Sequence, residues 1–470
     1  MIRRMSTWAW AGVIAMVLLP VSAAAEEGGA KPGAPSLAWG IPFAALLLAI
    51  AFGPMLAPRL WHRHVRWVIS GCILALLVPQ TLIFGPGAAA DALARAVFED
   101  YLPFITLLLA LYTTAGGVLV VGGPWWGTPA GNTALLALGT LLGGIVGTTA
   151  AAMVLIHPLL AANAHRSRKG HLVVFFVVLV ANAGGVLSPI GNPPLYVGFL
   201  EGVPFFWPLR TLWLALLLLA GPLLAGFYLL DRRLAAGEGP APVREPRPLR
   251  LRGVPNLVLI LVVALAVVVF GTWPDGSLAF FGGRLSLGRV LSVLVSLAAT
   301  LVSVLITPRA VRQRNMFSWA PILEVAWLFA AIFITIGPVL AMLHAGLAGP
   351  LGGLLRMVES PAGAPIPAAY FWLTGVLSAF LDNAPTYLVF FGMAGGDAGT
   401  LTGSLSRTLV AISTGAVFFG GLTYIGAAPN LLIRAIAARR GVRMPGFFGY
   451  CGAALLVLAL PLLLVTLVLF

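Results

Sequence analysis

The sequence predicts an all-α polytopic membrane protein of two inverted repeats, each with five membrane crossings, one of them a broken helix, plus one re-entrant hairpin. Three observations predict it. Of 470 residues, 60% are hydrophobic and only 9% charged, which excludes a soluble core and requires helices buried in lipid. Two long apolar segments are each interrupted by a non-helical break, Ser188-Pro189-Ile190-Gly191-Asn192-Pro193-Pro194 within 173–200 and Thr423-Tyr424-Ile425-Gly426-Ala427-Ala428-Pro429-Asn430 within 408–436. The breaks align on Ser188 with Thr423, Ile190-Gly191 with Ile425-Gly426 and Pro194 with Pro429. Finally, the arginines gather in short loops between apolar runs, where they report topology.

The net charge of +14, with 28 Lys plus Arg, therefore reads as orientation and not as a nucleic-acid surface. Membrane lipid is the expected surrounding partner. Cys72 and Cys451 both lie in apolar segments, with neither a disulfide framework nor a metal-ligand spacing. Residues 1–25 carry Arg3-Arg4, an apolar run from Trp8 to Val21, then Ser22-Ala23-Ala24-Ala25. That is the three-part pattern of a secretory signal peptide.

The crossings follow in order. Apolar runs at about 39–57, 67–84 and 101–121 are expected as the first three helices, with Arg59, Arg63 and Arg66 marking the cytoplasmic loop and the Gly- and Ala-rich residues 85–100 an outer loop. The segment 131–163 begins and ends on the cytoplasmic side, without room for two full spans, and is a re-entrant hairpin whose tip falls at Gly147-Thr148-Thr149. The broken helix 173–200 and a helix at about 205–230 complete the first repeat, residues 26–231. Residues 232–253 form a basic linker with six arginines, Pro-rich and read as a flexible cytoplasmic connection.

The second repeat, 254–470, carries helices at about 254–271, 290–306 and 319–343, a hairpin 364–394 interrupted by Leu381-Asp382-Asn383-Ala384-Pro385, the broken helix 408–436, and a last helix from about 447 to 470. Five crossings per half is an odd number, so the second half is expected upside down, its hairpin entering from the periplasm. Arg284, Arg289 and Arg407 then fall on the outer side against the charge rule, outnumbered by the inner clusters.

Backbone freed by a break in a bilayer must be buried in protein or line a polar cavity, and paired breaks in two halves point to a secondary transporter's binding site. The candidate ion- or substrate-binding residues are Thr148, Thr149, Ser188, Asn192, Asp382, Asn383, Thr423 and Asn430, with Pro189, Gly191, Pro193, Pro194, Gly426 and Pro429 making the helix breaks. Asp382 is the most informative, because an ionisable group at membrane depth is expensive and marks function by default. A carboxylate that holds either a proton or a cation is the minimal chemistry of an antiporter. The asparagines and threonines supply neutral oxygens suited to Na+. Glu324 is a second candidate for proton coupling, or simply a carboxylate favoured by its helix N-terminus. Glu99 and Asp100 read as surface residues and His157 as a packed one. No catalytic triad, nucleotide loop, cofactor motif or metal cluster beyond a Na+ site is present, so an enzyme is not expected; Na+ and H+ are the expected transported or coupling ions.

Gly147-Thr148-Thr149-Ala150-Ala151 with Pro158, the break 188–194, Glu324-Val325-Ala326, Asp382-Asn383-Ala384-Pro385-Thr386 and Gly426-Ala427-Ala428-Pro429-Asn430 together resemble the ion-transporter superfamily of sodium/proton antiporters, arsenite carriers and dicarboxylate carriers. Within it they are most similar to the bacterial citrate-transport family labelled sodium:proton antiporters. The resemblance implies an elevator-type carrier of the bacterial inner membrane, often a homodimer. Thr148 stands where some antiporter relatives have an acid, and the serine-asparagine-threonine pattern of dicarboxylate carriers is absent. The expected function is sodium/proton antiport with Asp382 as the exchanging carboxylate. The alternative is sodium- or proton-coupled transport of citrate or a similar organic anion, held by Asn192, Asn430 and the half-helix N-termini.

Overall fold

The structure, a computed structural model, describes residues 36–56, 58–121, 127–238, 250–273, 276–280, 283–361 and 363–470. The expected signal peptide lies outside the described residues, as does the middle of the linker. Among the described residues, nine helices are long and apolar enough to cross a membrane, and the chain is an all-α multi-pass membrane protein.

The first half opens with α1 (Ile41–Leu56) and α2 (Pro58–Phe84). Next, α3 (Pro86–Arg95) continues through a π-turn, Ala96–Tyr101, into α4 (Leu102–Ala115). The expected outer loop at 85–100 is therefore helical. Gly85, at φ 87°, turns the chain and Pro86 starts the new helix, and the alanines that follow are the strongest helix formers.

The first hairpin is α5 (Pro129–Val146) and α6 (Thr148–Ala162). Thr128 caps α5 by accepting the Gly131 N–H at 3.0 Å. The broken helix is α7 (Gly170–Leu179), a 3-10 turn at Ala183–Leu187, and α8 (Pro193–Leu200), and α9 (Trp213–Ala236) ends the half.

In the second half come α10 (Val254–Gly271), α11 (Leu287–Ile306) and α12 (Ala320–His344). The second hairpin is α13 (Pro367–Leu381) and α14 (Asn383–Met393). The second broken helix is α15 (Ser406–Phe418), a 3-10 turn at Phe419–Leu422, and α16 (Ala428–Arg439). The last helix is α17 (Phe447–Leu469). Both described ends of the linker are ordered, since α9 carries Asp231-Arg232-Arg233 inside its last turns and Arg250–Arg252 pairs antiparallel with Leu119–Val121.

The helices pack in two groups, which touch each other where α12 lies on α14 and α4 on α6. α10 lies on α11, α11 on α4, and α12 on α2 and the π-turn, forming a frame. α13 lies on α15, α8 on α14, α9 on α17, and α5 on its partner arm and the 183–187 turn, gathering both hairpins and both broken helices into one core. The hairpin approach is close because small residues permit it: a side chain at Gly143 or Gly144 would press on the Gly184 backbone at 3.1 and 3.2 Å.

The two hairpin–break pairs repeat one set of contacts. Ser188 Oγ donates to the Gly144 carbonyl and Thr423 Oγ1 to the Ala379 carbonyl, each across 44 residues of sequence. Each hydroxyl then accepts the N–H three residues on, Gly191 at 3.1 Å and Gly426 at 2.9 Å. The alignment of the two breaks read in the sequence is thus a match of hydrogen bonds.

Candidate functional site

The hairpin tips share an unusual backbone. Gly147 sits at φ 87°, ψ 143° and Asp382 at φ 73°, ψ 151°, a region nearly reserved for glycine that costs another residue about 1–3 kcal/mol. At the first tip glycine meets the demand. At the second an aspartate is held there, and its carboxylate accepts the Asn383 N–H at 2.6 Å as the N-cap of α14. A strained non-glycine at a buried turn points to function. Gly147→Ala is expected to lower stability by about 1–3 kcal/mol, because a Cβ at that φ would also sit 3.1 Å from the Ile190 carbonyl oxygen. A drop in the thermal midpoint of the detergent-solubilised protein checks this.

Between the tips lies a cavity of about 60 Å³, whose walls include Thr148, Thr149, Asn192, Asp382, Asn383 and Pro429. This is room for about four waters. α6, α8, α14 and α16 all begin at this cavity, so four first turns, each lacking intrahelical acceptors for its N–H groups, face one place. Pro193 and Pro194 lack N–H groups, so α8 contributes its dipole but few donors. Among the described residues, Asp382 is the only carboxylate on the lining, and no lysine or arginine lines it.

The asparagines tie the two halves across this centre. Asn383 Nδ2 donates to Asn192 Oδ1 at 2.8 Å, and Asn182 Nδ2 donates to Asn430 Oδ1 at 2.9 Å. Asn192 Nδ2 returns to the Asn182 carbonyl at 3.2 Å, and the Thr148 N–H donates to the Gly191 carbonyl at 2.9 Å. The side-chain oxygens of Asn182 and Asn383 are buried without a partner. The Asn383 oxygen, on the cavity wall with the Asp382 carboxylate, is an acceptor of the kind a hard cation satisfies, whereas Asn182 lies off the lining.

Thr148, Thr149, Asn192, Asp382 and Asn383 are therefore brought together. Ser188, Thr423 and Asn430 are not on the lining. The two hydroxyls fasten each break to its hairpin, and Asn430 Nδ2 is spent on the Gly420 and Thr423 carbonyls at 2.8 and 2.9 Å. Pro189 and Gly426 shape the breaks from behind, whereas Gly191, Pro193 and Pro429 reach the cavity. Glu324 is exposed and does not line the cavity, although Ile322, Val325 and Phe329 do. One helical residue is about 100° of rotation, which turns Glu324 off the face its neighbours present. His157 is packed as expected, its Nε2 3.2 Å from the Asn315 carbonyl.

Two features escaped the sequence reading. Asn182 was visible as a polar residue inside an apolar helix, but the louder break six residues on drew the assignment. The other is a buried cluster at the open end of the first hairpin. Asp231 is fully buried and paired with Arg166, with His171 Nε2 at 2.9 Å and Asn132 Nδ2 at 2.9 Å. In the sequence, Asp231 is simply one more charge beside Arg232-Arg233.

The cavity's outer wall locates it along the membrane. Leu108, Leu111 and Tyr112 lie near the end of α4, and Pro321, Ile322 and Val325 near the start of α12. The end of α4 meets the basic segment Arg309–Arg314, where Arg312 Nη1 donates to the Thr113 carbonyl at 3.2 Å, and it meets the residues just before α12, where Tyr112 Oη donates to the Ser318 carbonyl at 2.7 Å. That end therefore carries an arginine cluster of the kind the positive-inside rule associates with a cytoplasmic face.

A two-body helical membrane protein with a polar centre built from hairpin tips and helix breaks belongs to the class of transporters. Residues 33–470 match the protein family described as "Putative citrate transport", and the chain belongs to that family. It is accordingly a transporter and not an enzyme. No curated protein matches the chain.

Proposed function

We propose that the protein is a secondary carrier of citrate or a similar organic anion, coupled to Na+ or H+ and working by elevator-type alternating access in the bacterial inner membrane. The observation that carries this reading is the convergence of four helix N-termini on one cavity, and the family's description supports it. Asp382, together with the orphaned Asn383 oxygen, would then hold the coupling cation that a carboxylate substrate needs where no lysine or arginine is present. The substrate would lie against Thr148, Thr149, Asn192 and Asn383.

The inverted arrangement of the halves and the cleaved leader belong to the same proposal. The core of hairpins and broken helices would slide against the frame, here with its site toward the cytoplasm. A homodimer through the frame is the assembly that fits this motion.

A second reading is favoured by the size of the cavity. About 60 Å³ suits a small ion without its full hydration shell better than a tricarboxylate, and one carboxylate exchanging Na+ for H+ would need nothing larger. Inverted membrane vesicles separate the two. Citrate dissipating a pH gradient, or accumulating only with Na+ or H+ present, is the expected result. A response to Na+ or Li+ alone, indifferent to citrate, would overturn the organic-anion reading in favour of sodium/proton antiport.

A further inference from the structure

We infer that Arg289 is a latch that holds the core in its cytoplasm-facing position by capping the outer end of the first broken helix. The inference rests on the alternating-access reading above and names a residue that sets its equilibrium. Arg289, on α11 of the frame, donates from Nη2 to the Leu200 carbonyl at 2.8 Å and from Nη1 to the Glu99 carbonyl at 3.0 Å. Leu200 is the last residue of α8, where carbonyls lack intrahelical partners and a cation is favoured by the helix dipole. Glu99 belongs to the π-turn between α3 and α4, an irregularity that departs from the ordinary helical ladder. One guanidinium thus bridges the core and two parts of the frame.

The setting is built for separation. Next to the bridge lies a cavity of about 340 Å³, walled by Pro103 and Arg289 of the frame and by Tyr196, Phe199 and Leu200 of the core, with Trp273 beside them. The polar link from core to frame near it is otherwise a long one, Tyr196 Oη to the Pro103 carbonyl at 3.4 Å. Movement of α8 outward along the frame would carry Leu200 off the guanidinium, and Phe199 off the bare face that Gly271 of α10 presents to it.

The acidic side chains of Asp100 and Glu201 lie within Coulombic range of Arg289. This also gives a reason for an arginine on the outer side, where the charge rule disfavours it. Arg407, another outer arginine, donates in the same manner to the Leu469 carbonyl at the end of α17, at 2.9 Å, but Arg407 and Leu469 both lie within the core, so the bond does not tie core to frame.

The test is sidedness of access to the site. Ala428→Cys, at the exposed start of α16 on the cavity wall, in a Cys72→Ala, Cys451→Ala background, is labelled with a membrane-impermeant maleimide in right-side-out and in inverted vesicles. With Arg289 intact, labelling from the cytoplasmic face is expected to be the faster. Arg289→Gln is expected to shift the ratio of the two rates toward the outer face by about tenfold, the scale of one lost charged hydrogen bond. Arg289→Lys keeps the charge but cannot span two carbonyls, and an intermediate shift is expected; it decides the matter if the glutamine variant does not accumulate. An unchanged ratio in these variants, while citrate or Na+ still moves the ratio with Arg289 intact, overturns the latch and leaves alternating access standing. Labelling from the cytoplasmic face alone under every condition overturns both.

Discussion

Asp382→Asn is expected to abolish cation-coupled transport while leaving the protein folded. Asparagine is as good an N-cap as aspartate, so the bond to the Asn383 N–H survives. Its side chain matches aspartate in size and shape, so the strained backbone at φ 73°, ψ 151° is no worse than in the natural protein. What is lost is the only carboxylate on the cavity lining. Two unit charges about 4 Å apart at an effective dielectric of 20 attract by about 4 kcal/mol, so cation affinity should fall by roughly three orders of magnitude. Flux in vesicles should therefore drop to background for citrate with Na+ or H+, and equally for Na+/H+ exchange if that is the activity. Retained cation dependence in the variant would remove Asp382 from both mechanisms.

The matching glycine at the first tip supplies a companion experiment. Asp382→Gly makes the second tip like Gly147, relieving about 1–3 kcal/mol of backbone strain and giving up a cap worth about 1 kcal/mol. The variant should be inactive and at least as thermally stable as the natural protein. Inactivity with a raised midpoint is the pattern of a residue kept for function at the expense of stability. A clear loss of stability would mean that the cap, and not the charge, is what the position requires.

These two positions also mark how far sequence alone reaches. The breaks and hairpin tips were legible because glycine, proline and a lone acid are loud inside apolar runs, and the residues that aligned, Ser188 and Thr423, make equivalent hydrogen bonds in the two halves. Which polar residues line the cavity was not legible. Ser188 and Thr423 stand in the motif beside Asn192, yet their hydroxyls are consumed in holding break to hairpin, a role fixed by partners 44 residues away. Glu324 and Val325 are adjacent in sequence and face different ways, and only the rotation of α12 against the core separates them. Residues 85–100 misled for a simpler reason: Gly85 and Gly87 obscured a run of alanines with strong helix propensity.

Asp231→Ala is expected to be the most destabilising single substitution outside the cavity. The side chain is fully buried and holds Arg166, which is 5% exposed, together with His171 and Asn132. Arg166 Nη2 also donates to the Gly127 carbonyl at 2.8 Å, and Asn132 and Asn163 exchange amide bonds at 3.0 and 2.8 Å. The cluster therefore joins the start of α5, the residues after α6, the start of α7 and the end of α9, closing the hairpin opposite its tip. Removing the carboxylate leaves a buried guanidinium unpaired, a loss of about 3–5 kcal/mol from a total stability of order 5–15 kcal/mol. The thermal midpoint in detergent should fall sharply, and accumulation in the membrane with it. A double variant, Asp231→Leu with Arg166→Met, removes both charges and should recover most of the loss, because an apolar pair of similar volume replaces a buried ion pair at little cost. If instead Asp231→Ala alone unfolds at the natural midpoint, the hairpin is held by its glycine-lined packing against 183–187 and the ion pair is incidental. The double variant should also transport normally once folded, since the cluster lies at the far end of the hairpin from Thr148 and Thr149, and it would thereby separate the support of the hairpin from the chemistry at its tip.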